Sequence, residues 1–126
     1  MISVDSSVII PWLNSVEHPE TRLLADFLSR AVATIAPATL MEILSDPTGG
    51  TATDEAIAGF AVLPITDGYW ERAGRLRGML RMAGRKAGFA DSLIAQASID
   101  ADVPLLTRDK DFAAFAKLGG LKLYKE

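Results

Sequence analysis

The chain has 126 residues, of which 49% are hydrophobic, and its formal net charge is −3. This length suits one domain with a hydrophobic core and is too short for two. The lack of cysteine excludes disulfides and thiolate metal sites and favours a reducing cytoplasm. The sequence contains neither a signal peptide pattern nor an apolar run long enough for a membrane span. We therefore predict a single cytoplasmic domain over residues 1–126.

The first half of the chain alternates short apolar segments with amphipathic ones. Strands are predicted at residues 2–4 and 33–36. Helices are predicted at residues 19–31, at 38–45, and from residue 53 or 54 to 60.

The second half continues this alternation. The pattern predicts strands at residues 62–65, 104–107 and 121–124. It predicts helices at residues 69–86, 88–101 and 109–118. Strands that alternate with helices at this spacing form a parallel sheet with helices on both faces. The predicted fold is therefore α/β, a three-layer α/β/α sandwich with a central, mainly parallel, twisted sheet.

Acidic residues occur where this fold would place a ligand, beyond the carboxyl ends of the strands. Asp5 directly follows the first strand, and Asp109 follows the strand at 104–107. Glu42 lies on the helix that leaves the second strand. Asp91 opens the helix at 88–101, after Gly88, which permits close approach of the backbone.

Each acid also has a purely structural interpretation. Asp5 and Asp109 are suited to cap helices, Glu42 to face solvent, and Asp91 to favour a helix dipole. Four acids at one edge of the sheet nevertheless match the oxygen ligands of Mg²⁺ or Mn²⁺. We therefore predict one metal site that contains all four.

The remaining composition restricts the chemistry. His18 is the only histidine and cysteine is absent, which excludes a ribonuclease built on two histidines and any thiol nucleophile. Metal-assisted attack of water on a phosphodiester remains possible, with the ion lowering the pKa of the water. Because clustered acids titrate together, the sequence leaves open which of them is a base and which a ligand.

Four segments, in order, carry a family resemblance: VDSSV, IAPATLMEIL, GFADSLIAQASI and PLLTRDKDF. Together they resemble the PIN domain and, more narrowly, the ribonuclease toxins of VapBC toxin–antitoxin pairs. The resemblance implies a Mg²⁺-dependent endoribonuclease, with an RNA substrate, a cognate antitoxin and a homodimeric state. It also implies roles for these residues: metal site Asp5, Glu42, Asp91 and Asp109; supporting hydroxyls Ser6 and Thr107; accessory acid Asp111.

Substrate contacts are predicted from basic and aromatic residues. The helix at 69–86 is the most basic part of the chain. Its basic face is suited either to bind the phosphates of RNA or simply to face solvent. We predict contacts with the substrate from Arg85, Arg108 and Lys110. Three aromatic residues are candidates for base stacking or for the core: Trp12, Tyr69 and Trp70.

Two other functions remain open. One is a PIN-like module that binds RNA or a partner without cutting. The other is a Mg²⁺-dependent phosphotransfer or phosphohydrolase domain, which needs a lysine at the acidic site. Lys110 follows Asp109 directly, and Lys86 is predicted within a helix, so neither is well placed.

Several helices carry more apolar residues than a small sheet is expected to cover. We predict that some of these side chains form a dimer face and an antitoxin groove. They are Leu23, Leu24, Phe27, Leu40, Leu44, Ile57 and Phe60.

Overall fold

A computed structural model describes residues 1–125 as a sheet with helices on both faces. The strands are β1 (Ile2–Val4), β2 (Ala33–Ile35), β3 (Ala61–Val62) and β4 (Leu105–Leu106). The helices are α1 (Ser6–Leu13), α2 (Pro19–Ser29), α3 (Pro37–Leu44), α4 (Gly50–Ile57), α5 (Tyr69–Met82), α6 (Phe89–Asp100) and α7 (Phe112–Gly119).

The sheet has the strand order β3-β2-β1-β4, and every neighbouring pair is parallel. Val4 in β1 pairs with Leu106 in β4. The residues that follow these two strands, Asp5 and Thr107, therefore emerge side by side. The prediction of a mainly parallel sheet is confirmed, and the sheet brings distant parts of the sequence together at one edge.

Side chains alternate between two hydrophobic clusters, one on each face of the sheet. Leu106 packs in a cluster with Leu24 and Phe27 of α2. Its neighbour Leu105 packs in the other cluster, which contains Phe112 and Phe115 of α7. Because successive residues of a strand point to opposite faces, both faces of the sheet are covered. The predicted three-layer architecture is confirmed.

Several predicted boundaries are wrong. The helix predicted at 69–86 ends at Met82, because Gly84 adopts a left-handed conformation with φ of +72°. The helix predicted to start at Asp109 begins at Phe112. In place of the strand predicted at 121–124, there is a single bridge between Leu123 and Leu105.

Smaller shifts affect other elements. β3 covers 61–62 rather than 62–65, and Pro64 lacks the N–H needed to continue the ladder. Helix α2 ends two residues early, before Ala31 adopts φ of +57°. Helix α4 begins at Gly50, before the predicted start at residue 53 or 54, and ends at Ile57 rather than at residue 60.

The exposed apolar surface lies mostly elsewhere than predicted. Of the seven apolar residues from which a partner surface was predicted, Leu24, Phe27 and Phe60 are buried and cannot contribute to it. On α3, by contrast, Met41 is 73% exposed and Leu44 is 52% exposed. Both line a shallow groove on the outer side of this helix. No helix within residues 1–125 combines the length and apolarity required to cross a bilayer.

Candidate metal centre

Asp5 is a buried carboxylate held by two hydroxyl groups. It occupies the N-cap position of α1, but its side chain makes no capping hydrogen bond. Instead, Oδ1 accepts a hydrogen bond of 2.7 Å from Ser7 Oγ, and Oδ2 accepts one of 3.0 Å from Thr107 Oγ1. The side chain of Asp5 is therefore oriented toward the end of β4 and does not serve as a helix cap.

The same two hydroxyls also fix the backbone beyond β4. Ser7 Oγ accepts a hydrogen bond of 2.8 Å from the Arg108 N–H. Thr107 Oγ1 accepts one of 3.0 Å from the Asp109 N–H. Each hydroxyl thus connects Asp5 to the segment that carries Asp109. Ser7 was not predicted as a site residue; the signal was the second hydroxyl of VDSSV, one position after the predicted Ser6.

Burial raises the pKa of Asp5 to about 6, although the hydrogen bonds from Ser7 and Thr107 oppose this shift. The negative charges of Asp109 and Asp91 raise it further. Since this carboxylate is 3% exposed, its ionised form is poorly solvated. A cation nearby would stabilise that form.

Three further carboxylates converge at the same edge of the sheet. Single oxygen atoms of Asp91, Asp109 and Asp111 all lie within 4.8 Å of one another. The Asp111 N–H donates a hydrogen bond of 2.9 Å to Asp109 Oδ1, which fixes the turn between them. The arrangement therefore places Asp111, predicted as an accessory acid, directly beside two predicted ligands.

Asp91 projects into this cluster from the first turn of α6. Partial burial raises its pKa, followed by repulsion from Asp109 and Asp111. Gly88 precedes it, and a Cβ atom there would lie 3.2 Å from Asp91 Oδ2. A side chain at position 88 would therefore crowd this carboxylate, which is the close approach expected from the sequence.

Glu42 lies at the exposed rim of the cluster, on α3. Partial burial raises its pKa and the charge of Asp91 adds to the effect, whereas the Ser6 hydroxyl opposes it. Ser6 thus acts on Glu42, and Ser7 acts on Asp5. Glu42 and Asp5 adjoin the triplet of acids without belonging to it.

Lys86 brings a positive charge to the acidic cluster. Its Nζ lies 2.9 Å from Asp111 Oδ2, and its charge opposes the rise in the pKa of Asp91. Lys86 reaches the site from the loop after α5, because that helix ends at Met82. The prediction that Lys86 lies within a helix is wrong; Gly84 was the signal for the earlier end.

The predicted substrate residues have different surroundings. Arg108 Nε lies 3.6 Å from Glu20 Oε2. Lys110 and Arg85 are exposed and form no ion pair within residues 1–125.

Two of the three candidate stacking aromatics take part in packing. Tyr69 is buried, and its hydroxyl donates a hydrogen bond of 2.6 Å to the Leu93 carbonyl. Trp12 packs edge-on against Phe60. Trp70, in contrast, is 58% exposed.

The residues present fit a hard divalent cation. All candidate ligands are carboxylate oxygens, which suit Mg²⁺ and Mn²⁺. The negative charges of the cluster help to raise the pKa values of Asp5 and Asp91, and the Lys86 ammonium already supplies positive charge at its edge. Asp91, Asp109 and Asp111 are the residues close enough to share one ion.

Comparisons with known proteins agree with this fold. Ribonuclease VapC5 of Mycobacterium tuberculosis is 30% identical over 115 residues, which cover 88% of this chain and 84% of VapC5. Among solved structures, VapBC2 from Rickettsia felis, bound to a promoter DNA fragment, has a TM-score of 0.79 at 18% identity and covers 98% of both chains. VapBC-5 from Mycobacterium tuberculosis has a TM-score of 0.70 at 24% identity and covers 98% of this chain and 97% of its own.

The sequence pattern of the PIN domain family matches residues 2–118 of this chain. This range contains all five acids of the site and both hydroxyls that hold Asp5. The chain belongs to the PIN domain family.

Proposed function

We propose that this protein is a Mg²⁺-dependent endoribonuclease that acts as the toxin of a toxin–antitoxin pair. The observation that carries the proposal is the convergence of Asp91, Asp109 and Asp111 beside the buried Asp5. The relative named ribonuclease VapC5 supports RNA as the substrate. The VapBC neighbours support an antitoxin as the partner. The cytoplasm is proposed as the site of action because the cysteine-free composition suits a reducing compartment.

Different residues of the chain are suited to different roles in phosphodiester cleavage. Asp91, Asp109 and Asp111 would hold the ion, and Asp5 fixes the segment that carries Asp109 through Thr107. When bound, a divalent cation supplies positive charge for the phosphoryl oxygens and lowers the pKa of water. Glu42, at the rim with a raised pKa, is suited to orient water or to accept its proton.

The test is cleavage of a labelled single-stranded RNA by the purified protein in Mg²⁺, in Mn²⁺ and in chelator. We expect cleavage only with metal. Asp91→Asn removes a charge that a hard cation needs, and Asp5→Asn removes the buried negative charge beside the three ligands. Each should slow cleavage by at least about a hundredfold. Asp54→Asn, an exposed acid on α4, is the matched control and should cut like wild type.

Circular dichroism of both site variants should match wild type, so that lost activity reflects the site. A wild-type protein that binds RNA but leaves it intact in both metals would contradict the proposal. That result would favour the binding module without catalysis.

A further inference from the structure

A narrow groove between α5 and α6 combines exposed aromatic rings with a guanidinium group. Its volume is about 90 Å³, and Trp70, Gly74, Arg77 and Phe89 are among its lining residues. Trp70 is 58% exposed and Phe89 is 70% exposed. Exposed rings of this size on both sides of one groove are a sign of an interaction site.

The aromatic residues of this groove are not needed by the core. Tyr69, the neighbour of Trp70, fills the interior and donates its hydroxyl to the Leu93 carbonyl. The Arg77 guanidinium lies over the ring of Phe89, at 5.9 Å from the centroid. Arg77 is itself oriented by a hydrogen bond of 2.9 Å from Nε to the Ala87 carbonyl. The Phe89 ring and the Arg77 guanidinium are thus held in a defined arrangement at the groove.

The groove is open because Gly74 has no side chain. Trp70, Gly74 and Arg77 lie on one face of α5, spaced at four and three residues. No atom lies within 4 Å of the position that a Cβ at Gly74 would take. A larger residue there would fit without strain and would fill the groove.

The surrounding charge favours an anionic occupant. The segment 69–86 holds six of the chain's 13 lysines and arginines and one acid, Glu71. Arg75, Arg81 and Arg85 form no ion pair within the described residues 1–125. A second copy of the chain, docked by the same face, would place two such cationic helices against each other.

The size of the groove also disfavours a second copy. A stable interface between proteins buries about 800 Å² on each partner, whereas this groove is built on two exposed rings. A nucleobase needs one aromatic face and its phosphate needs one cation, which is what the groove offers.

We propose that this groove binds a nucleotide of single-stranded RNA, with the base against Phe89 or Trp70 and its phosphate near Arg77 and Arg81. The inference deepens the proposed nuclease function and rests on it. Phe89 and Asp91 both lie in the first turn of α6, so one helical turn carries both a ring of the groove and an acid of the metal centre. Aromatic stacking accepts any base, and the groove therefore strengthens RNA binding without selecting a sequence.

The experiment is RNA binding by Gly74→Leu, with Gly78→Leu as its matched control. Both glycines are exposed on α5 with open space around them, but Gly78 does not line the groove. Binding is measured by fluorescence anisotropy in chelator, with a labelled single-stranded RNA of about 12 nucleotides.

We expect Gly74→Leu to weaken binding by about tenfold, as Trp70→Ala and Phe89→Ala should also do. Gly78→Leu should bind like wild type. Neither leucine should lower the melting temperature, since leucine favours a helix more than glycine does. In cleavage assays with Mg²⁺, the weaker RNA binding of Gly74→Leu should raise KM and leave kcat unchanged.

Wild-type RNA affinity in Gly74→Leu would overturn the inference. So would a fall in the sedimentation mass of Gly74→Leu without a change in RNA binding, because the groove would then contact another protein copy. If wild type fails to cut RNA, the proposed function fails, and the binding comparison still tests the groove. If wild type cuts and Gly74→Leu binds equally well, only the groove assignment fails.

Discussion

The hydroxyl of Thr107 donates a hydrogen bond of 3.0 Å to the Oδ2 atom of Asp5. These residues are about a hundred positions apart in the sequence, but they follow strands β4 and β1, which are paired in parallel. Through this bond the buried Asp5 is held beside the segment that carries Asp109 and Asp111.

Replacing Thr107 with valine keeps the shape of the side chain but removes its hydroxyl. The hydrogen bond to Asp5 lowers the pKa of that carboxyl, so its loss should raise that pKa further. The Asp109 N–H also loses its acceptor. We expect cleavage at neutral pH to fall by about ten- to a hundredfold, with the acid limb of the pH–rate profile moved to higher pH.

Two variants provide controls for Thr107→Val. Thr107→Ser keeps the hydroxyl and should retain most of the activity and the wild-type pH profile. Thr51→Val changes an exposed threonine on α4 and should have no effect. An unshifted pH profile in Thr107→Val would show that the hydroxyl does not act through Asp5.

The stability of the metal-free protein should depend on the protonation of Asp5. Its pKa is about 6 in the folded protein against 3.8 for an ordinary aspartate carboxyl, so the folded state binds the extra proton between these values. The free energy of unfolding should therefore fall as the pH rises from about 4 to above 6, by roughly 3 kcal/mol from this group. The raised pKa values of Glu42 and Asp91 act in the same direction.

This slope is measured by urea unfolding in chelator between pH 4.5 and 7.5. Asp5→Asn cannot ionise at this position, so its stability should change less over the range and exceed that of wild type at pH 7.5. Equal slopes for the two proteins would assign the pH dependence to other groups.

Lys86 should compete with a metal ion for the acidic cluster. Its ammonium lies 2.9 Å from Asp111, and its removal leaves the carboxylates with less compensating charge. We expect Lys86→Met to bind Mn²⁺ a few-fold more tightly than wild type in calorimetric titrations. Lys117→Met removes an exposed lysine from α7 and serves as the control. Weaker binding by Lys86→Met would mean that the lysine chiefly holds Asp111 in position.

The exposed apolar groove of α3 provides a test of the predicted homodimer. Leu44 is 52% exposed in this groove, and a charge there should disrupt a contact with a second copy. We expect wild type to sediment as a dimer and Leu44→Glu as a monomer. Met82→Glu, at an 89% exposed site on α5, should remain dimeric. A dimer that persists in Leu44→Glu would place the contact on another surface.

The sequence by itself determined the class of the fold and the region of the site. Apolar segments alternate with amphipathic ones, and a chain with that alternation buries its apolar residues in a parallel sheet between helices. Because parallel strands end at the same edge, the sequence alone predicts that Asp5 and Asp109 lie close together. The lengths of elements were less predictable. The helix after Tyr69 stops at Met82 because of the backbone conformation of Gly84.

Only the tertiary structure decided how the acids are grouped and what supports them. Asp111 joins Asp91 and Asp109, Ser7 rather than Ser6 holds Asp5, and Lys86 reaches the cluster from a loop. Each of these relations depends on the direction of a side chain, and the contacts of Asp91 and Lys86 also depend on segments that meet only after the sheet has formed. Spacing in the sequence fixes which residues arrive at the edge of the sheet, but distances of a few ångströms between their oxygen atoms are set by the packing of α6 and α7 against it.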